Sequence, residues 1–390
     1  MKFTASLLVV TSLLAGCHPK TYLSAVTVPV QKNNIPALVA NTPPPFNTTN
    51  YNTAFYPTIL DAAKGIAAPF LYQQGYYKLS GLTVNDSNIT YNGTEYHVSQ
   101  LYWNPAKDPA KAFHDYTIKT DNYEKYNIAS LQNIWPKSCP NALYDSTTHT
   151  FNATIDCVGY GSRLLAAVGN GSTDNNAYLN LLNTLKQQHS TISSSKGYVS
   201  TAYSLSVALP TLPTETKTGW SYVAGSIDFN AIDEYNHTKN AKVGTYTGVR
   251  KGGFAKSLPG DILVFGNGPG TKFNGHFMVI EKAPSLLDAD GLRYYYPNAS
   301  NVEIMKVLGL FKMYVVPVID DSGLEAHFDD SRHQTSGIGH GTVLIAASKT
   351  DDAPVGIITK AKKSDTSITI RLVSENKSTS MFALSVGRYK

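Results

Sequence analysis

Past its opening residues the sequence contains no apolar run near the roughly 20 residues that a membrane-spanning helix needs. Charged residues are sparse at 16% against 42% apolar, a balance that excludes an intrinsically disordered chain and a coiled coil. The net charge is only +5 and no stretch concentrates Lys and Arg, which argues against nucleic acid as a partner. Mild attraction to anionic wall polymers or lipid headgroups stays compatible with that charge. No internal repeat is present. Cysteine is scarce: Cys17, Cys139 and Cys157 are the three in 390 residues, so after Cys17 a single internal disulfide, Cys139–Cys157, is possible. What is abundant is tyrosine, 25 residues, whose amphipathic rings suit carbohydrate or peptide surfaces and strand packing alike.

The chain opens with Lys2, an apolar run from Leu7 to Leu14, and Leu14-Ala15-Gly16-Cys17, which reads as a signal peptide over residues 1–17. The last four residues resemble a bacterial lipobox. The resemblance implies that Cys17 is acylated and begins the mature chain, tethered by lipid and otherwise soluble. His18, rather than an Asp, follows it and points to the outer membrane facing the periplasm. An ordinary secretory signal is the alternative. Residues 18–50, with Pro29, Pro36 and Pro43-Pro44-Pro45 among Asn and Thr, read as an extended tether. The remaining length can bury one large core or two modest ones.

Residues 51–140 read as an accessory region: a helix between Ala54 and Tyr72 interrupted near Gly65 and Pro69, then strands near Leu79–Val84, Ile89–Tyr91 and Tyr96–Tyr102. No chemical constellation is visible there. Residues 141–390 hold the stretch around which the rest is organised, Thr154-Ile155-Asp156-Cys157-Val158-Gly159-Tyr160-Gly161. Asp156 is an N-cap type and Val158, Leu164, Leu165 and Val168 follow at roughly helical spacing, so Cys157 falls in the first turn of a helix. The unpaired N–H groups and positive dipole end of that turn favour a thiolate. Gly159 and Gly161 weaken a helix and therefore suggest close approach of another group to its backbone. A second helix is predicted over Asn176–His189. Residues 190–250 read as loops and short strands, in which Trp220 and Tyr222 either line a site or, the commoner case, are half-buried strand aromatics.

Leu258-Pro259-Gly260-Asp261 is a turn leading into an apolar strand through Phe265, and a glycine-rich loop separates it from Asn274-Gly275-His276-Phe277-Met278-Val279-Ile280. The second run is typical of a strand buried on both faces, with His276 held at its mouth. A further strand, Met313 to Ile319, ends in Asp320 and Asp321. Strands at Thr342–Ala346, Ile368–Val373 and Phe382–Val386 complete an α+β order, helices first and then a strand-rich half.

Asp-Cys-x-Gly-Tyr at a helix start, Pro-Gly-Asp-Ile-Leu-x-Phe on a strand and Gly-His opening the next strand together resemble the NlpC-type, papain-like cysteine peptidases and amidases of bacterial cell walls. The likeness covers residues 154–168 and 258–283. It implies a helix carrying the cysteine packed on a small antiparallel sheet, with Cys157 as nucleophile and His276 as general base and acid, and no cofactor. A third polar residue orients the imidazole in that family, at the end of the strand that returns against the histidine strand. If that strand is Met313–Ile319 the residue is Asp320, the preferred choice; if it is Leu292–Pro297 it is Asn298. The sequence departs from the family in the separation of 119 positions (276 − 157) from cysteine to histidine, which makes 190–250 an insertion, and in Val158, where the family has a small Ser. The implied substrate is an amide bond of peptidoglycan peptides, cleaved through an acyl-enzyme.

Three other readings stay open. His327, His333 and His340 with Asp329 and Asp330 supply metal-ligand types, although their spacing matches no compact zinc motif and a polar surface loop explains them more simply. A Cys139–Cys157 disulfide would leave a non-catalytic lipoprotein that binds wall fragments or a protein partner. A papain-like acyltransferase is the third.

Overall fold

The computed structural model describes residues 43–102, 143–155, 157–169, 176–188, 202–228, 250–267, 275–333, 336–362, 364–373 and 381–390. Cys17, Cys139 and Asp156 lie outside the described residues, and with them the predicted lipidation, disulfide and N-cap.

Helix α1 (Ile59–Gln73) starts at Thr58, whose Oγ1 accepts from Asp61 N at 3.1 Å. The predicted interruption near Gly65 and Pro69 is absent: the helix runs through both. An internal proline costs about 3 kcal/mol. Burial of Ile59, Ala62, Ala63, Ile66, Ala67, Phe70 and Leu71 offsets that cost. Gly65 is there because the Tyr56 ring lies where its side chain would be; a Cβ would stand 2.3 Å from that ring.

Strands β1 (Leu82–Asn85), β2 (Asn88–Tyr91), β3 (Thr94–Tyr102), β4 (Leu143–Asp145) and β5 (Thr150–Ile155) form one sheet in the order β1-β2-β3-β5-β4. Because β3 and β5 pair in parallel, the predicted accessory region and the segment that leads to Cys157 share a ladder. Phe46, inside the predicted tether, packs its ring against Tyr72, Tyr91, Tyr96 and Phe151. The described residues belong to one compact unit.

The chain then builds α2 (Cys157–Ala166), α3 (Ala177–Gln188), α4 (Ala202–Ala208), β6 (Trp220–Ile227), β7 (Arg250–Lys251), β8 (Ile262–Asn267), β9 (His276–Ile280), β10 (Ser285–Leu286), α5 (Ala289–Tyr295) and α6 (Asn301–Leu310). Strands β11 (Phe311–Ser322), β12 (Gly337–Ser348), β13 (Pro354–Ile358), β14 (Arg371–Leu372) and β15 (Met381–Tyr389) follow. The fold is mixed α+β, mostly sheet with few helices, as the element order in the sequence predicts. The main sheet is larger than the small one implied by the resemblance. It has ten strands, β14-β13-β12-β11-β9-β8-β15-β6-β7 with β10 on β11, and its named strands pair antiparallel. Strand β6, inside the predicted insertion, is part of this sheet, since it pairs with β15. Trp220 and Tyr222 on β6 are fully buried rather than half-buried, and Trp220 Nε1 donates to Ala177 O at 2.8 Å, pinning α3 to the sheet.

The alternation of a strand sorts the apolar side chains onto two faces. Ile262, Val264, Phe277, Val279, Ile319 and Ile338 pack with α1, α2 and Cys157. Leu263, Phe265, Met278, Ile280, Val316, Val318, Val343 and Ile345 form a separate core on the other face, where the sheet curls far enough for β13 to touch β15 and β6. Among the described residues no helix is long and apolar enough to cross a membrane.

Candidate functional site

His276 opens β9 and faces Phe265 of β8 in the ladder. The chain reaches it through Gly275, whose φ of +119° is open to glycine alone among ordinary residues; a Cβ there would lie 2.0 Å from the Phe265 carbonyl oxygen. The strand that returns against β9 is β11, with Ile319 opposite Val279 and Asp320 opposite Met278. Asp320 is therefore one diagonal step from His276 on the same face. His276 Nε2–H donates to Asp320 Oδ2. The alternative return strand, Leu292–Pro297, is instead mostly the helix α5, started by Asp288, whose Oδ1 accepts from Gly291 N at 2.8 Å. Asn298 falls in the turn between α5 and α6, away from the β9 ladder.

Asp320 is fully buried and serves more than one imidazole. His327 Nε2–H donates to the same Oδ2 at 2.6 Å, and Arg332 Nη1 donates to Oδ1 at 2.8 Å. Arg332, itself 0% exposed, turns its other edge to Asp330, with Nε to Oδ1 at 2.7 Å and Nη2 to Oδ2 at 3.1 Å. Asp330 also accepts from the backbone N of His327 and of Arg332. Burial by itself would raise the Asp320 pKa, but Arg332, His327 and His276 outweigh it and hold the carboxyl well below the usual carboxylate range.

The glycines of Gly337-Ile338-Gly339-His340-Gly341 account for the room this network needs. Gly339 and Gly341 share a face with Asp320 across the β11–β12 ladder. A Cβ at 339 would come within 2.7 Å of the Arg332 side chain, and one at 341 within 2.6 Å of His327 Cβ. The polar surface loop expected for His327 and Asp330 is not found: both are buried, as is Arg332. A sequence signal for the room they need is the Gly-x-Gly-x-Gly spacing, which on a strand keeps one face bare.

The set His327, His333, His340, Asp329 and Asp330 is not one cluster. His333 and Asp329 are exposed. His340 lies opposite Ile319, on the other face, where its Nδ1 is 2.8 Å from Glu281 Oε2 and its ring stacks on Tyr76 at 4.2 Å. His276, Asp320 and His327 do bring ligand-type atoms within 4.8 Å of one another. Ligand atoms around a tetrahedral zinc ion with bonds of about 2.0–2.1 Å stand about 3.3 Å apart. The 2.6 Å between His327 Nε2 and Asp320 Oδ2 is a hydrogen bond and leaves no such space.

Cys157 is the first residue of α2 and 6% exposed. The helix packs on β9 through Gly161, whose missing side chain admits the Phe277 ring; a Cβ at 161 would be 2.8 Å from that ring. The close approach expected from the helix glycines thus has a partner at Gly161. Tyr160, in the first turn, is near enough to Asp320 and Asp321 for their charges to add to burial in raising its pKa. The first turn of α2 thus lies over the end of the sheet that carries Asp320 and His276. Phe277 faces α2, so His276 next to it belongs by alternation to the opposite face, and is 8% exposed. The structure joins His276 to Asp320 on one face of the sheet and packs α2 on the other through Gly161.

Asp261 of the Pro-Gly-Asp turn belongs to the scaffold. Its carboxylate takes a bidentate pair from Arg388, at 2.7 and 2.8 Å, which ties the start of β8 to the end of β15. Replacing Gly161 by Ala should force α2 off Phe277 and cost about 1–3 kcal/mol in urea unfolding. It should also slow alkylation of Cys157 relative to the parent protein; an unchanged rate would mean that the α2–β9 spacing does not govern the thiol. Comparison of the chain with family models, curated proteins and solved structures finds no match.

Proposed function

We propose that the chain is a cysteine-dependent hydrolase of peptidoglycan peptide amide bonds. The observation that carries the reading is an imidazole anchored on a buried carboxylate, at the end of the sheet on which the cysteine-bearing helix turn packs. With Nε2–H committed to Asp320, the lone pair of His276 is on Nδ1, the nitrogen left to take a proton. In this reading Nδ1 accepts the Cys157 thiol proton, the thiolate attacks the amide carbonyl carbon, and the imidazolium returns the proton to the leaving amine. Water then releases the acyl group with the same imidazole as base. The N–H groups at the α2 start, that of Cys157 among them, would hold the oxyanion. Acylation of Cys17 would place the enzyme on the outer membrane, facing the wall in the periplasm.

Cys157→Ala should reduce release of peptide fragments from purified sacculi to background, at least about 10³-fold below the parent. Turnover unchanged by that substitution would end the proposal.

A non-catalytic wall- or partner-binding lipoprotein is favoured by the burial of Cys157 and by the opposite faces to which Phe277 and His276 belong. Under that reading iodoacetamide labels native Cys157 no faster below pH 8.5 than a buried thiol, and His276→Ala makes no difference.

A further inference from the structure

Hydrogen bonds join Asp320, Asp330, Arg332, His327 and His276 in one buried network, and the charges within that network do not sum to zero unless His276 is protonated. Arg332 contributes one positive charge and lies between two carboxylates, Asp320 and Asp330. Among the described residues Asp330 accepts from His327 N and from Arg332 N, Nε and Nη2, as an ionised carboxylate does. His327 cannot carry the balancing proton. Its Nε2–H already donates to Asp320, and its Nδ1 is buried with no hydrogen-bond partner, so a second proton there would be a buried donor with nothing to accept it. With His327 neutral, the two carboxylates and one guanidinium leave one uncompensated negative charge, and among the described residues the group bonded to Asp320 that still has an open nitrogen is His276.

We propose that Asp330, Arg332 and His327 are positioning residues that act through Asp320 to favour the imidazolium form of His276. Arg332 clamps the Asp320 carboxylate in place, which alone would cancel its charge. Asp330 restores that charge from the far side of the guanidinium, and His327 fixes the Oδ2 lone pairs as a neutral donor. The other titratable groups turned toward this end of the sheet are Asp321 on β11 and Cys157 and Tyr160 on α2. The inference deepens the cysteine-hydrolase reading, because a favoured imidazolium is what a Cys157 thiolate would pair with.

The test is imidazole NMR on the full chain, with the ring signals of His276 and His327 assigned by substitution. Asp330→Asn keeps shape and removes one negative charge, so the pH at which His276 gains its proton should fall by about one unit, a ten-fold loss of imidazolium at a given pH. His327→Gln keeps a neutral donor and should leave that pH in place. In the unaltered protein His327 should carry its ring proton on Nε2, the nitrogen bonded to Asp320. An unmoved His276 titration in Asp330→Asn, an equal shift in His327→Gln, or a doubly protonated His327 in the unaltered protein would each overturn the inference, the last even if Asp330→Asn does not fold. If the titration responds as expected but Cys157 alkylation is indifferent to His276→Ala, the charge cluster stands and the hydrolase reading falls.

Discussion

Arg332→Met is expected to lower the free energy of unfolding by about 3–5 kcal/mol at neutral pH, the range found when one partner of a buried ion pair is removed. Methionine matches the stem of arginine but cannot donate, so Asp320 and Asp330 would face each other in the interior without a cation between them. The hydrogen bond from Arg332 Nη1 to Gly337 O, at 3.1 Å, would go too, loosening the start of β12. Acid should narrow the gap. The folded Asp320 carboxyl sits well below its unfolded value of about 3.9, so its contribution is fully present above that pH and is lost as pH falls through the folded value. Urea melts at pH 7 and at pH 3 (about one unit under the unfolded value) would show the parent losing stability on acidification and the variant losing less. A difference under about 1 kcal/mol at pH 7 would mean that the guanidinium is dispensable.

Gly275→Ala is expected to abolish folding or to cost more than about 3 kcal/mol. Two penalties combine: a φ of +119° that side chains rarely adopt, and a Cβ 2.0 Å from the Phe265 carbonyl oxygen. Phe265 cannot move aside, because it is locked opposite His276 in the β8–β9 ladder. Gly309, in α6 with nothing within 4 Å of a would-be Cβ, is the control. Gly309→Ala should stabilise by up to about 1 kcal/mol, as Ala does for Gly at an unstrained helix site. Circular dichroism and thermal melts of the pair would decide; a Gly275→Ala protein as stable as the parent would show that the β9 entry tolerates a different backbone.

The helix at Cys157, the strand mouthed by His276 and the strand that carries Asp320 were all legible in the chain, because each rests on local chemistry: helical spacing, a continuous apolar run behind Gly275, and an apolar run that leads into two acids, although the strand continues through both to Ser322. The helix from Ile59 to Gln73 was misjudged near Gly65 and Pro69 because local propensity disfavours it, while the burial that overrides propensity comes from residues distant in sequence. The same holds for Leu292–Pro297, apolar and aromatic enough for a strand, yet mostly helical once Asp288 caps it and Leu292 is buried.

By itself the sequence determined what local element each candidate residue begins or lies on, since turn geometry and hydrophobic period depend on near neighbours. Only the tertiary structure decided which of them meet. That Asp320 rather than Asn298 bonds His276 follows from the β9–β11 register, and that His327, Asp330 and Arg332 are interior follows from Gly339 and Gly341 lying beneath them. Register and face are settled by contacts across the sheet, which join residues tens of positions apart and leave no short-range pattern to read.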